Sequence, residues 1–437
     1  MWKKRIAFTA SALILALGVT SAPGQAAVQD KLSTSPPDSL RAKKLQQLEQ
    51  RLAKLEKAFK RAQQQALIEK LRAKAREAAT KKPVPKAATA GRAFYSAQRQ
   101  LSALNPEISV TGDFVGWYHS PEFPGTSLPE SEAGEHGPGP GNRFSLREAE
   151  FHIISPLDPY TRGKFFLGIP GNGHLHVGEA YMEWINLPTN LNLKIGKFRN
   201  QFGQLNRWHQ HALPQVDRPY VLTRFLSDEG LSGMGVGANW LLPRLWAHVN
   251  ELNLEFISGG DGSSFANSGG RERVLVTHLK NYWDVTENAY LEIGVSGALG
   301  HNDPEAHYRT LLGGLDINYK WVPAGRSKYR TFEFRAEAIG SRRQTPRGNV
   351  QTWGAYAYFQ NKLNARWWLG ARLDYTELPW TASETEKGAS LVFTYWQSEF
   401  VFFRFQLSRK LSTFADDVTQ ATVQAVWSMG PHKHEAY

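Results

Sequence analysis

The chain has 437 residues, 52 Lys and Arg against 40 Asp and Glu, and no cysteine. The basic excess is local: residues 28–93 hold 17 basic and 6 acidic residues, whereas residues 94–437 hold 32 and 34. That distribution excludes the basic folded face a nucleic-acid binder needs, and the missing cysteine excludes a disulfide scaffold.

The chain opens on Lys3, Lys4 and Arg5, an apolar run over 6–19, and small residues up to Ala26 and Ala27. This pattern predicts a secretory signal peptide over 1–27. The apolar run is too short for a membrane span, and nothing later matches one. Leu45, Leu48, Leu52, Leu55, Phe59, Ala62 and Ala66 then recur at spacings of three and four. They predict a short α-helical coiled coil within residues 28–93. A monomeric helix or plain tether stays open as the alternative. A linker with Pro83 and Pro85 follows.

Beyond residue 94 the texture changes to segments of about ten residues that alternate apolar with polar, as membrane-barrel strands do. They start near Glu107, Phe144, Tyr160, Leu175, Leu191, Leu231, Leu245, Arg271, Ala289, Tyr308, Tyr329, Val350, Arg366, Lys387, Phe400 and Val418. Short connections interleave with long ones at 119–142, 199–229, 258–270 and 377–386. Aromatics such as Trp117, Tyr118, Trp240, Trp367 and Trp427 cluster toward segment ends, which suits interfacial girdles. A soluble β-sandwich or propeller would carry them inside. The expectation is an all-β transmembrane antiparallel β-barrel of about 16 strands over 94–437, in outer-membrane lipid of a Gram-negative cell. The N-terminal segment is expected to be periplasmic.

The 199–229 segment is too apolar to stand in water, so it is expected to fold into the barrel as a constriction loop. With the inward faces of the strands it supplies the expected pore-lining set. That set is Lys194, Arg199, Arg207, His209, His211, Asp217, Arg218, Arg224, Arg335, Arg372, Arg404, Glu179 and Glu183. Both signs are mixed, so weak ion selectivity is expected across a screened, water-filled lumen.

His209 and His211 form an H-x-H pair with Asp217 six residues on, which makes these three the candidate metal ligands. Ser227 lies in the same loop as the histidines, but no spacing supports catalysis. No enzyme activity and no resident cofactor are expected; zinc would enter only as transported cargo. The reading from residues is a porin for small hydrophilic solutes or ions. The alternatives are a barrel for metal ions or chelates, and an anchor whose basic helix contacts anionic periplasmic polymer.

The stretches NPEISVTGDF (105–114), EAYMEWINLP (179–188), KIGKFRNQFGQLNRWHQHALPQVDRPYVLTRFLSDEGL (194–231) and GPHKHEAY (430–437) carry a resemblance. The layout resembles 16-stranded trimeric porins of the phosphate-selective O/P type. The quoted stretches are similar to the family labelled zinc-regulated TonB-dependent outer-membrane receptor. The resemblance implies an outer-membrane barrel with a link to metal supply, and a homotrimer.

Overall fold

Residues 401–412 show how alternation becomes a membrane wall. Phe403, Phe405 and Leu407 point outward and stay exposed, while Phe402, Arg404 and Gln406 point inward and are buried. A strand with a two-residue period must sort its side chains this way. The same sorting repeats around the molecule. The outside is therefore a belt of exposed Leu, Val, Phe and Ile, including Ile195, Val236, Phe256, Leu315 and Leu391. Water would penalise that belt, and lipid does not.

The computed structural model describes residues 106–119, 144–171, 173–258, 264–266 and 272–430. The signal peptide, the heptad helix with its trimer seam, the linker and the tail after Gly430 lie outside the described residues.

Sixteen strands make the wall. They are β1 (Glu107–His119), β2 (Phe144–Pro156), β3 (Thr161–Pro170), β4 (His176–Leu187), β5 (Leu191–Arg199), β6 (Ser232–Leu242), β7 (Val249–Ser258) and β8 (Arg273–Thr286). The rest are β9 (Ala289–His301), β10 (Arg309–Trp321), β11 (Phe332–Thr345), β12 (Gly348–Lys362), β13 (Trp367–Leu378), β14 (Thr381–Trp396), β15 (Val401–Ser412) and β16 (Val418–Met429). Each pairs antiparallel with its neighbours in sequence, and β1 pairs with β16 from Val110↔Met429 to His119↔Gln420. Closure leaves no edge, so the ladder satisfies the wall's backbone polar groups without water.

The expected strand starts hold, with the largest difference at β14. A loop is expected over 377–386, yet β13 and β14 extend through it and join by a two-residue turn at Pro379 and Trp380. The reason is position. This ribbon lies at the long-loop end, where a strand needs no apolar outward face, so its Thr, Ser and Glu residues read as a loop. Trp117 is a second correction. It is buried on the inward face of β1, beside Val115 and Val216, not in an outer girdle.

The hydrophobic core sits inside the barrel. Residues of the segment between β5 and β6 pack against Ile257, Val274, Val276, Leu312, Ile339 and Tyr356 of the inner wall. No helix of the described residues is long and apolar enough to cross a membrane.

Candidate functional site

The segment 200–231 folds into the lumen because its sequence supplies both a neck and an apolar body. Asn206 closes the neck. Its amide donates to the carbonyls of Asn200 (2.8 Å) and Leu231 (2.9 Å), and its oxygen accepts from the Leu231 N–H at 2.7 Å. Gly203 makes the first turn at φ 61, with its N–H on Ser296 Oγ at 2.8 Å. A Cβ at Gly203 would collide with the Glu337 carboxylate, so glycine is required there. Arg218 ties the middle of the loop by donating to the carbonyls of Leu205 and Trp208, both at 2.8 Å. Pro219 then starts a short helix, α1 (Tyr220–Leu226), that buries Val221, Leu222, Phe225 and Leu226 against β11, β12 and β13. Each such side chain contributes about 1.5–3 kcal/mol of burial as an upper estimate. The helix ends at Ser227, whose hydroxyl donates to Gly230 O at 3.0 Å.

Polar ties run from this body to most of the wall. Asn200 and Gln201 reach Glu255 on β7, Gln204 reaches Asp316 on β10, and the Leu205 N–H reaches Glu337 on β11. Arg224 makes a two-pronged pair with Glu386 on β14, both contacts at 2.7 Å. Val216 donates to Gln406 on β15 and accepts from Arg147 on β2. Asp217 takes Arg372 of β13 at 2.7 Å and a contact from Gln406. His209 meets Glu179 of β4 at 3.3 Å, and His211 Nδ1 contacts the Glu150 carboxylate of β2. A loop pinned on so many sides is part of the barrel's interior.

The loop's ionisable groups reflect that placement. Burial pushes the His209 imidazole down, the nearby Arg199 charge adds to it, and Glu179 only partly opposes, so it sits well below the ordinary histidine range. Burial brings His211 down to about 4 against the pull of Asp113 and Glu148. Both imidazoles are neutral at neutral pH. Burial would raise the Asp217 carboxyl, but Arg372 and Gln406 outweigh it and hold it below its usual value. Burial lowers Arg218 to about 9, which still leaves it charged at neutral pH.

Two cavities flank the loop inside the barrel. The smaller, about 30 Å³, is lined by Gln201, Gly203, Gln204 and Arg207 of the loop with His278, Lys280 and Glu292 of the wall. The larger, about 380 Å³, opens below the loop tip His211–Pro214 against Lys320, Glu333, Gln360, Trp368, Trp396 and Arg404. Trp208, Arg335 and Glu292 line both. The Arg335 guanidinium stacks over Trp208 at 4.5 Å from the ring centre, and a further contact binds it to Glu333 at 2.7 Å. This stack borders both spaces, of which the smaller is of the size of a single water.

The expected lining residues divide into three groups. Arg207, His211, Arg335 and Arg404 line the cavities. Lys194, Arg224, Glu179 and Glu183 stand on the inner wall or loop but are held in ion pairs, Lys194 with Glu255 at 2.7 Å and Glu183 with Arg162 at 2.7 Å among them, and the Arg199 guanidinium donates to the Glu229 carbonyl. Arg218 and Arg372 are corrected: both are buried inside the loop-to-wall network and do not line the cavities. Asp217 is corrected as a metal ligand. Pro214 does not return it to the histidines; it is committed to Arg372 and Gln406. His209 and His211 instead meet His152, with ring centroids at 5.3 and 6.4 Å.

Three functional neighbours were missed. His152 shares a strand face with Glu148 and Glu150, so alternation held the signal. His278 carries the same signal at the inward face of β8. Arg147 had no such signal. Strict alternation points it outward, but the register slips between Asp113 and Phe114, and the bulge turns it in to pair with Asp113.

No family model matches the chain. An uncharacterized protein of Aquifex aeolicus (strain VF5) is 28% identical over 368 residues, 72% of this chain and 75% of that protein. Among solved structures, OprB of Pseudomonas putida aligns with a TM-score of 0.53 at 10% identity, covering 76% of this chain and 96% of that one. The loop L8 deletion mutant of OmpT, an outer membrane protein of Vibrio cholerae, aligns with a TM-score of 0.50 at 8% identity, covering 75% and 100%. At these identities the likeness is one of architecture: the chain has the fold of outer-membrane β-barrels.

Proposed function

We propose that this protein is a porin-like channel of the outer membrane, passing small hydrophilic solutes or ions along the inside of the barrel past the Trp208–Arg335 stack. The observation that carries the reading is the pair of cavities, both bordered by that stack and by charged side chains, inside a closed 16-stranded wall. A loop folded into the lumen from the long-loop side sets the bore, and the outward apolar belt sets the membrane placement. The Leu45 to Ala66 seam supplies a site of self-association, for which a homotrimer is the proposed state.

Selectivity follows from the groups along this path. The whole lumen mixes signs, but the two cavities are lined by Arg207, Lys280, Lys320, Arg335 and Arg404 against Glu292 and Glu333. A modest preference for anions results, weakened by the ion pairing and by salt screening over roughly 8–10 Å. The test is the reversal potential across a planar bilayer under a potassium chloride gradient. A shift toward the chloride side, well short of the ideal anion value, is expected. A shift to the cation side would contradict the assigned path.

A further inference from the structure

Glu150, His152 and His209 each offer a ligand atom, and the three atoms lie within 4.8 Å of one another. All three residues are buried. Glu150 and His152 come from β2 and His209 from the loop, so the cluster spans the seam between the two. We propose that it is a site for a divalent cation of the zinc type, which fastens the loop to the wall. The inference concerns binding and stands whether or not the barrel conducts.

The arrangement of the imidazoles is what such an ion requires. A tetrahedral ion with nitrogen ligands at about 2.0–2.1 Å sets imidazole rings about 5 Å apart; the His152 and His209 centroids are 5.3 Å apart with rings at 69°. The Glu179 carboxylate lies 3.3 Å from His209 Nε2. That contact fixes the tautomer with the proton on Nε2 and leaves Nδ1 as the donor to a metal. Nδ1 is buried and has no hydrogen-bond partner among the described residues. A carboxylate behind a ligating imidazole is the usual support of a metal-bound histidine. Phe166 stacks on His209 at 3.9 Å and meets His152 edge-on at 4.5 Å, which holds both rings in place.

His211 completes the surroundings. Its Nδ1 contacts the Glu150 carboxylate, and the same residue lines the larger cavity. An ion therefore has an approach from the cavity, and Glu150 has a partner that orients it. Three protein ligands leave one coordination position for water, as in exchangeable sites.

The experiment is equilibrium dialysis of the folded, detergent-solubilised full chain against zinc. One tightly held ion per chain is expected in the unmodified protein. His152→Ala and His209→Ala are each expected to lose it. His307→Ala, in the separate Glu272, His301 and His307 group, is expected to keep it. A cobalt(II) spectrum of the unmodified protein needs no variant, and the strong visible bands of tetrahedral coordination are expected. No held ion in the unmodified chain, retention in both β2 and loop variants, loss confined to His307→Ala, or a cobalt spectrum like that of the hydrated ion would overturn the site.

Discussion

Replacing residues 203–228 with a short Gly-Ser linker is expected to raise single-channel conductance several-fold and to leave the barrel closed. The loop contributes seven side chains to the interior core, from Leu205 through Leu226. The β5–β6 ladder runs from Leu191↔Trp240 to Arg199↔Ser232 and needs none of it. Excision exposes Ile257, Val274, Val276, Leu312 and Ile339 to lumen water, at roughly 25 cal/mol for each Å² of apolar surface. Heat stability therefore falls while closure persists, because the wall's hydrogen bonds have no alternative partner in lipid. Conductance in planar bilayers, with heat-modifiable gel migration as the check on folding, measures both effects. Unchanged conductance in a folded variant would show that the loop does not set the bore.

Arg372→Ala is expected to cause the largest loss among single substitutions. Its guanidinium is fully buried between Asp374 at 2.6 Å and Asp217 at 2.7 Å, with further bonds to Gln215 and the Asp217 carbonyl. Removing it leaves Asp374 buried without its counter-charge, a defect that costs about 3–5 kcal/mol in buried pairs. It also removes the tie of Asp217 to β13, leaving the Tyr220 N–H on Asp374 and the packing of α1 to hold the loop there. The sign with pH is fixed. Asp217 has a carboxyl held low in the folded state, so its contribution is present above the unfolded carboxylate range and is lost as pH falls through the folded value. In Arg372→Ala this acid dependence should shrink, because its cause is gone. The checks are the temperature at which the folded gel band disappears, and its change between neutral and acidic buffer. A melting temperature equal to wild type would contradict the role assigned to Arg372.

The wall was legible because a membrane barrel writes its inside and outside into a two-residue period, which strands such as β11 and β15 carry almost unbroken. Legibility failed where the period stops meaning membrane. The Thr381–Glu386 ribbon stands past the apolar belt, and the bulge at Arg147 breaks the count by one. The loop's inward fold was readable from its apolar side chains, since Trp208, Phe225 and Leu226 had to be buried somewhere. Its contacts were not. Nothing local in the sequence says that Asp217 will face Arg372, 155 positions away, or that His209 will meet His152. Those pairings depend on where an irregular chain crosses a closed wall. The same gap explains why charges that call for water in a one-dimensional reading turn out to be partnered. Their partners lie on neighbouring strands or on the loop.

The proposed path takes solutes between the loop and the wall at Trp208 and Arg335. Single-channel current in a planar bilayer, compared between the unmodified protein and Trp208→Ala, tests it most directly. Trp208 covers the Arg335 guanidinium and borders both cavities, so truncation joins them without touching the membrane-facing belt. The unmodified barrel is expected to give discrete, stable current steps, and Trp208→Ala larger ones. A folded, inserted barrel that passes no current, or steps of equal size in the two proteins, would contradict it.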